Sequence, residues 1–414
     1  MNSSTNDRKT RRILLHGTFD VFNYGDLLFP IIARARLAPH GFEVVPVSPT
    51  SATMPLSDSI RPRAFEEIVQ AGEDYDGVLI GGGNIIHNDA SPLAAYREAG
   101  LAERAYAELW IGATLHAATR NVPVVWNAPG VMRGFDDEPS RALAAAVCRA
   151  ASYIAVRDEA SRSNLPVASN ATPVEVVPDT ALGLAEIWPR DQLLRVARKA
   201  LARAGADPTA PTLTLHVKAR SLGGMDVATL AASVEEVGRR RGERVVLLAL
   251  GPCHGDDEFA RTLSRQLNVP HVLVDRPHSL EEIAAMIAGS RLYLGSSLHG
   301  YITACAYGTP ARLVAVPELV KFRGFLAHVN RQEDACASWD EAFAASDTGN
   351  ESAGPPTVVL ARLEAHWDRV VAFLQPQQVR GDAQCGLLRT AVKCMMKERT
   401  WPALFEAVAV RPKA

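Results

Sequence analysis

The chain lacks a long apolar run. Nowhere in its 414 residues does a hydrophobic stretch approach the roughly 20 residues that a membrane-spanning helix needs. It lacks an excess of charge as well: 44 Lys and Arg stand against 46 Asp and Glu, a formal net charge of −2. That balance argues against nucleic acid or any partner held by bulk electrostatics, though a local basic pocket for a small anion remains compatible with it. Paired cysteines are missing too. Cys148, Cys253, Cys305, Cys336, Cys385 and Cys394 are scattered, with no CxxC and no disulfide-dense pattern, which reads as free thiols in a reducing cytoplasm. The opening segment MNSSTNDRKTRR is polar and has no apolar core of the kind a secretory signal requires. Peripheral attachment to a membrane-bound partner needs no spanning helix and stays open. No repeat at solenoid periods is visible.

What is present is a long, ordinary globular composition, 47% hydrophobic and 22% charged. Single cores stop growing beyond roughly 250–300 residues, so this length predicts two domains. Short runs rich in Val and Ile alternate with helical stretches, the signature of parallel sheets with crossover helices. The first array has candidate strands at 12–16, 42–47, 77–80, 122–127, 153–156 and 174–177. The pattern breaks near Pro178–Pro189 and restarts with candidate strands at 212–216, 244–250, 271–274, 292–295 and 312–316. Unbroken apolar strands suit sheets covered on both faces. The expected fold is therefore α/β: two doubly wound, Rossmann-like domains in a GT-B-like arrangement with a C-terminal helical tail. The boundaries read as an N-terminal domain at 11–185, a C-terminal domain at 186–374 and a tail at 375–414. Residues 338–356 read as a polar surface loop, and Thr357–Leu374 as an amphipathic helix. Ligands in open α/β sheets gather at the carboxyl ends of strands, so two facing domains place both crevices on one cleft.

Residues 17–26 read GTFDVFNYGD, close to the opening of cytidylyltransferases. Those enzymes need two histidines spaced as HxGH to stabilise phosphates. Here Asn23 and Asp26 occupy those places, and a carboxylate at Asp26 would repel a triphosphate. Read as NxGD at the first strand-to-helix turn, the same residues fit another pattern. Gly81–Asn84 (GGGN) follows a strand, Val156–Ser161 (VRDEAS) follows another, Pro178-Asp179 ends the first array, and Ser296–Pro310 reads SSLHGYITACAYGTP. In this order and spacing the chain resembles the polysaccharide pyruvyl transferase family over most of residues 11–326.

The resemblance implies an enzyme that transfers the pyruvyl group of phosphoenolpyruvate to a sugar of a cell-surface or extracellular polysaccharide. The acceptor would be that saccharide or its lipid-linked precursor. It implies no metal and no cofactor, with phosphoenolpyruvate as donor substrate bound by the C-terminal domain and the acceptor by the N-terminal one. The donor bears a carboxylate and a phosphate, so it needs clustered cations or helix N-termini. The chemistry also needs a general acid and a general base.

His299, at a strand-to-helix turn beside Gly300, is the first candidate for acid/base work or phosphate contact. Asp26 can act as base, orient the acceptor, or simply cap its helix. Asn23, Gly82, Gly83, Asn84 and Arg157 are candidates for the substrate-binding wall. Ser296 and Ser297 can donate to an anion or cap the following helix. Many family members carry an arginine where Ser297 stands, so the resemblance calls for another cation, and Lys218, Arg220, Arg157, Lys321 and Arg323 are available. His216, two residues before Lys218, would share its strand face. Two other readings stay open: a GT-B-type glycosyltransferase with a nucleotide-sugar donor, for which Glu281 or Glu282 would hold the ribose, and an inactive binding homologue.

Overall fold

Thirteen short strands lie among the described residues, all but β3 and β13 set by runs rich in Val, Ile and Leu: β1 Arg11–His16, β2 Phe42–Ser48, β3 Arg63–Ala64, β4 Gly77–Ile80, β5 Val124–Trp126, β6 Ile154–Val156, β7 Val174–Val176, β8 Thr212–His216, β9 Arg244–Leu248, β10 His271–Val274, β11 Leu292–Gly295, β12 Ala311–Val314 and β13 Ala335–Cys336. These come from a computed structural model, which describes residues 10–167, 173–317, 320–347 and 354–375. The tail expected at 375–414 lies outside the described residues, apart from Gln375.

The strands form two all-parallel sheets. The first runs β3-β2-β1-β4-β5, the second β10-β9-β8-β11-β12-β13. In both, the order turns back beside the first strand of the array, which is the doubly wound topology. Among the described residues no strand of one sheet pairs with a strand of the other. Strands β4, β8, β11 and β12 are buried along their whole length, as helices on both faces require. A two-stranded parallel pair, β6-β7, continues from β5 through a single bridge, Val125 to Tyr153. The architecture is the α/β, two-sheet, GT-B-like arrangement.

The halves are tied by hydrogen bonds between side chains and main chain. The Tyr24 N–H donates to the Leu250 carbonyl at 2.8 Å, and the Tyr24 hydroxyl meets the Thr303 hydroxyl at 3.0 Å. Asp58, from the first half, accepts from the Leu280 and Glu281 amides at 2.7 and 2.9 Å and so caps a helix of the second half, Leu280–Ala288. The last helix, Thr357–Leu374, runs back to the first half. His366 joins the Tyr153 hydroxyl and the Asn127 side chain, each at 3.0 Å, and Glu364 pairs with Arg36 at 2.7 Å. Sequence order counts this helix with residues 186–374, but its apolar face packs on the first half. The expected loop at 338–356 is only partly loop. Ser338 caps a helix, Trp339–Ala344, that buries Trp339 and Phe343 in the second core.

Candidate active site

The two switch points of the sheets face each other. In the first half they are the ends of β1 and β4; in the second, the ends of β8 and β11. At the first, the chain leaves β1, turns, and enters the helix Tyr24–Leu37, whose first turn carries Asp26. The capping alternative for Asp26 does not hold, since its carboxylate takes no main-chain amide of that helix among its hydrogen bonds. Its Oδ2 accepts from the Thr18 hydroxyl at 2.8 Å and from the Asn23 amide at 2.9 Å. Burial pushes the Asp26 carboxyl up, against the pull of His299, Thr18 and Lys321. Gly83 has φ of +88° and stands so close to Asp26 Oδ1 that a Cβ would lie 2.9 Å from it.

At the second switch point, the Lys218 N–H after β8 donates to the Ser296 hydroxyl after β11 at 3.1 Å. The helix Leu298–Ala306 starts there and presents His299 to the first half. A Cβ on Gly25 would collide with the His299 ring, so the glycine in NxGD is what lets the imidazole lie on the helix of the other half. Phe29 packs edge-on against the same ring at 5.8 Å. On the opposite side His299 Nε2 lies 3.4 Å from Asp179 Oδ2. Burial pushes the Asp179 carboxyl up, but His299, the Ala181 amide and Arg157 outweigh it, and the net shift is downward.

Cations gather around this pair. Arg157, from the end of β6, is buried, donates to Asn84 Oδ1 at 2.8 Å and lies 3.5 Å from Asp158. Lys218 and Lys321 are half-buried. Desolvation lowers the Lys218 ammonium. Lys321 falls to about 7 because it is desolvated beside Arg157, Lys218 and Arg220, with Asp26 pulling the other way. Crowded cations of this kind could hold an anion of more than one charge.

Not every expected residue joins this cluster. Ser297 is committed as a helix cap, its hydroxyl accepting from the Gly300 amide at 3.5 Å. Gly82 packs against the Phe29 ring and Gly300 against Tyr293, so both serve contacts inside the protein. Arg220 is exposed and reaches the cluster only through its charge on Lys218 and Lys321. His216 does not share the cleft with Lys218. It is wholly buried, 2.8 Å from Asp256, which also accepts from the Leu250 and Gly251 amides. Asp158 caps the helix Glu159–Asn164. Glu281 and Glu282, the residues a ribose would need, are held by Gln192 and Arg203.

Sequence reasoning missed Asp179 and Thr18 as site residues. It places Asp179 only as the end of the first array; its position between two βα arrays was the one signal available. Among the described residues no group of three or more His, Cys, Asp or Glu is arranged to hold a metal ion, and none of their helices is long and apolar enough to cross a membrane. A cavity of about 870 Å³ that does not include His299 or Asp26 lies between β6-β7, the helix Val320–Val329 and the last helix.

A profile of the family described as polysaccharide pyruvyl transferase matches residues 23–317. No curated protein matches the sequence. Among solved structures, S. aureus MnaA with UDP superposes with a TM-score of 0.50 at 12% identity, over 94% of this chain and 96% of that one. UDP-GlcNAc 2-epimerase from Methanocaldococcus jannaschii gives 0.49 at 14% identity, over 93% and 99%. A family 9 glycosyl transferase from Veillonella parvula gives 0.41 at 13%, over 87% and 97%. At such identity the likeness to the S. aureus protein concerns the fold alone.

Proposed function

The chain belongs to the polysaccharide pyruvyl transferase family, and from that premise we propose that it moves the pyruvyl group of phosphoenolpyruvate onto a saccharide as a ketal. One observation carries the reading. His299 and Asp26, from opposite halves, meet beside Lys218, Lys321 and Arg157, and burial beside neighbouring cations lowers both lysine ammonium groups.

In this reading the cations hold the donor's carboxylate and phosphate. His299 protonates C3 of the enol as a sugar hydroxyl adds to C2 and loses its proton to Asp26. A carboxyl raised by burial is a better base than a solvated one. The second hydroxyl then displaces the phosphate from C2, and its proton leaves with inorganic phosphate. Two C–O bonds form at C2, one breaks, and no redox partner or cofactor is consumed. The acceptor is a cell-surface or extracellular polysaccharide unit or its lipid-linked precursor, met in the cytoplasm; peripheral association would bring the enzyme to a lipid-linked one. The nucleotide-sugar alternative has less support, because Glu281 and Glu282 are engaged by Gln192 and Arg203 of the Arg190–Arg203 helix.

The test is incubation with phosphoenolpyruvate and a lipid-linked saccharide, following inorganic phosphate and the mass of the acceptor. Phosphate release with a gain of one pyruvyl ketal is the expected result. Consumption of a UDP-sugar with no use of phosphoenolpyruvate would overturn the assignment, and binding of both substrates without turnover would point to the inactive homologue.

A further inference from the structure

Asp179 sits on the segment that joins the two halves, just after β7, and is 2% exposed. Its Oδ1 accepts the Ala181 amide at 3.0 Å and so caps the short 3-10 helix Thr180–Glu186. Its Oδ2 is sealed from solvent with no hydrogen-bond partner, and so is His299 Nε2. The two orphaned atoms lie 3.4 Å apart. A buried polar group without a partner is costly, and pairing relieves both at once. Hydrogen bonds of catalytic groups are often long or misaligned before substrate arrives and tighten in the complex.

We propose that Asp179 is the positioning residue of His299: it takes the imidazole's Nε2–H and leaves Nδ1 as the nitrogen that serves the substrate. This rests on the acid/base reading of His299 given above. Nδ1 lies against Gly25, next in the chain to Asp26, so the ring spans from the joining segment to the helix that carries the candidate base. The groups that face this ring are therefore Asp179 from the joining segment and Asp26 and Phe29 from the helix Tyr24–Leu37, with Arg157 also acting on Asp179. A carboxylate on Nε2 selects one tautomer and one ring orientation, and it stabilises the imidazolium whenever the ring takes up a proton. The His216–Asp256 pair shows what a purely internal pair looks like here: 2.8 Å apart with both side chains at zero exposure. The His299 side chain keeps 13% exposure, consistent with a ring that is held on one edge and open on another.

The experiment uses the full chain labelled with 15N-histidine. Ring nitrogen shifts report which nitrogen carries the proton in the neutral form, with His299→Gln to assign the signal. The wild type should show the Nε2–H tautomer, and Asp179→Asn a mixture of both. Asp179→Asn retains a carbonyl oxygen to accept the Ala181 amide, so its melting temperature should match the wild type. In the transfer reaction Asp179→Asn should lower kcat about 10- to 100-fold with the donor KM within about two-fold, and Asp179→Glu should recover part of the loss. A wild-type ring protonated on Nδ1, or one whose tautomer is the same in Asp179→Asn, overturns the proposal, and the wild-type spectrum decides this even if a variant fails to fold. The spectrum needs no substrate. A locked Nε2–H tautomer in a protein that leaves phosphoenolpyruvate untouched would therefore support the positioning and reject the transfer reaction.

Discussion

Two histidine–aspartate pairs lie within the second half's reach, and they are built for different ends. His216 and Asp256 are wholly buried at 2.8 Å, and the carboxylate also receives the Leu250 and Gly251 amides. Every partner comes from one half, and desolvation lowers the imidazole so that it stays neutral. His299 and Asp179 stand 3.4 Å apart, with part of the imidazole exposed and Asp26 of the other half nearby. The first pair closes a loop onto a strand end. The second leaves a carboxylate oxygen and an imidazole nitrogen without hydrogen-bond partners where two halves meet, which suits a site that must bind something. The same two residue types give a brace in one place and a candidate acid/base group in the other, because only the second spans the cleft.

The comparison breaks first at His299. His299→Ala should melt like the wild type and turn over at least about 10²-fold more slowly. Melting temperature and steady-state rate on one preparation check this, and a wild-type rate removes His299 from the site. Asp256→Ala should do the reverse. It strands a buried imidazole and two amides, so it should cost about 3 kcal/mol of stability. Denaturant unfolding measures the loss, and donor affinity in the folded fraction should persist.

A smaller effect sharpens the anion site. Lys218→Ala and Lys321→Ala should each weaken phosphoenolpyruvate binding by about 1.5–3 kcal/mol, read by titration calorimetry. Lys321 adds a pH dependence whose sign is fixed. Its ammonium deprotonates near 7 in the free protein, so the cation is present below that pH and lost above it. Donor affinity should fall as pH rises from 7 to 9, by up to about tenfold per unit, and Lys321→Arg should flatten the profile because a guanidinium stays charged. Smallest of all is Ser297→Ala. Its cap bond is 3.5 Å long, so its loss should cost no more than about 0.5–1 kcal/mol and leave donor binding unchanged. A marked fall in donor affinity would return Ser297 to the anion site.

Much of the fold was legible because strand signals are local. Runs such as GVLI at 77–80 and TLTLH at 212–216 announce themselves through β-branched and leucine-rich composition, and the intervening helices through their period. The two-residue strands β3 and β13 were not, because they exist only as edges completed by a neighbour. The helix Trp339–Ala344 hid in a stretch of small and polar residues, where burial of Trp339 overrides weak local propensity. The site was legible in part. NxGD, GGGN and LHG mark turns after strands, and the topology brings such turns to one edge. Asp179 was not legible as a site residue, since a Pro-Asp after a strand reads as punctuation.

The order of residues by itself determined the alternation of strands and helices, and with it two parallel sheets whose carboxyl ends carry Asp26, Lys218 and His299. It also determined the near-neutral charge that leaves binding to local pockets. Tertiary structure alone decided which polar side chains became braces and which remained available. His216 turned inward onto Asp256, Ser297 closed a helix, and Gly25 and Gly83 made room for His299 and Asp26. The physical reason is range. Propensity and period act over a few residues along the chain, whereas desolvation and hydrogen bonding act over a few ångströms between residues such as Asp26, Asp179 and His299, more than a hundred positions apart.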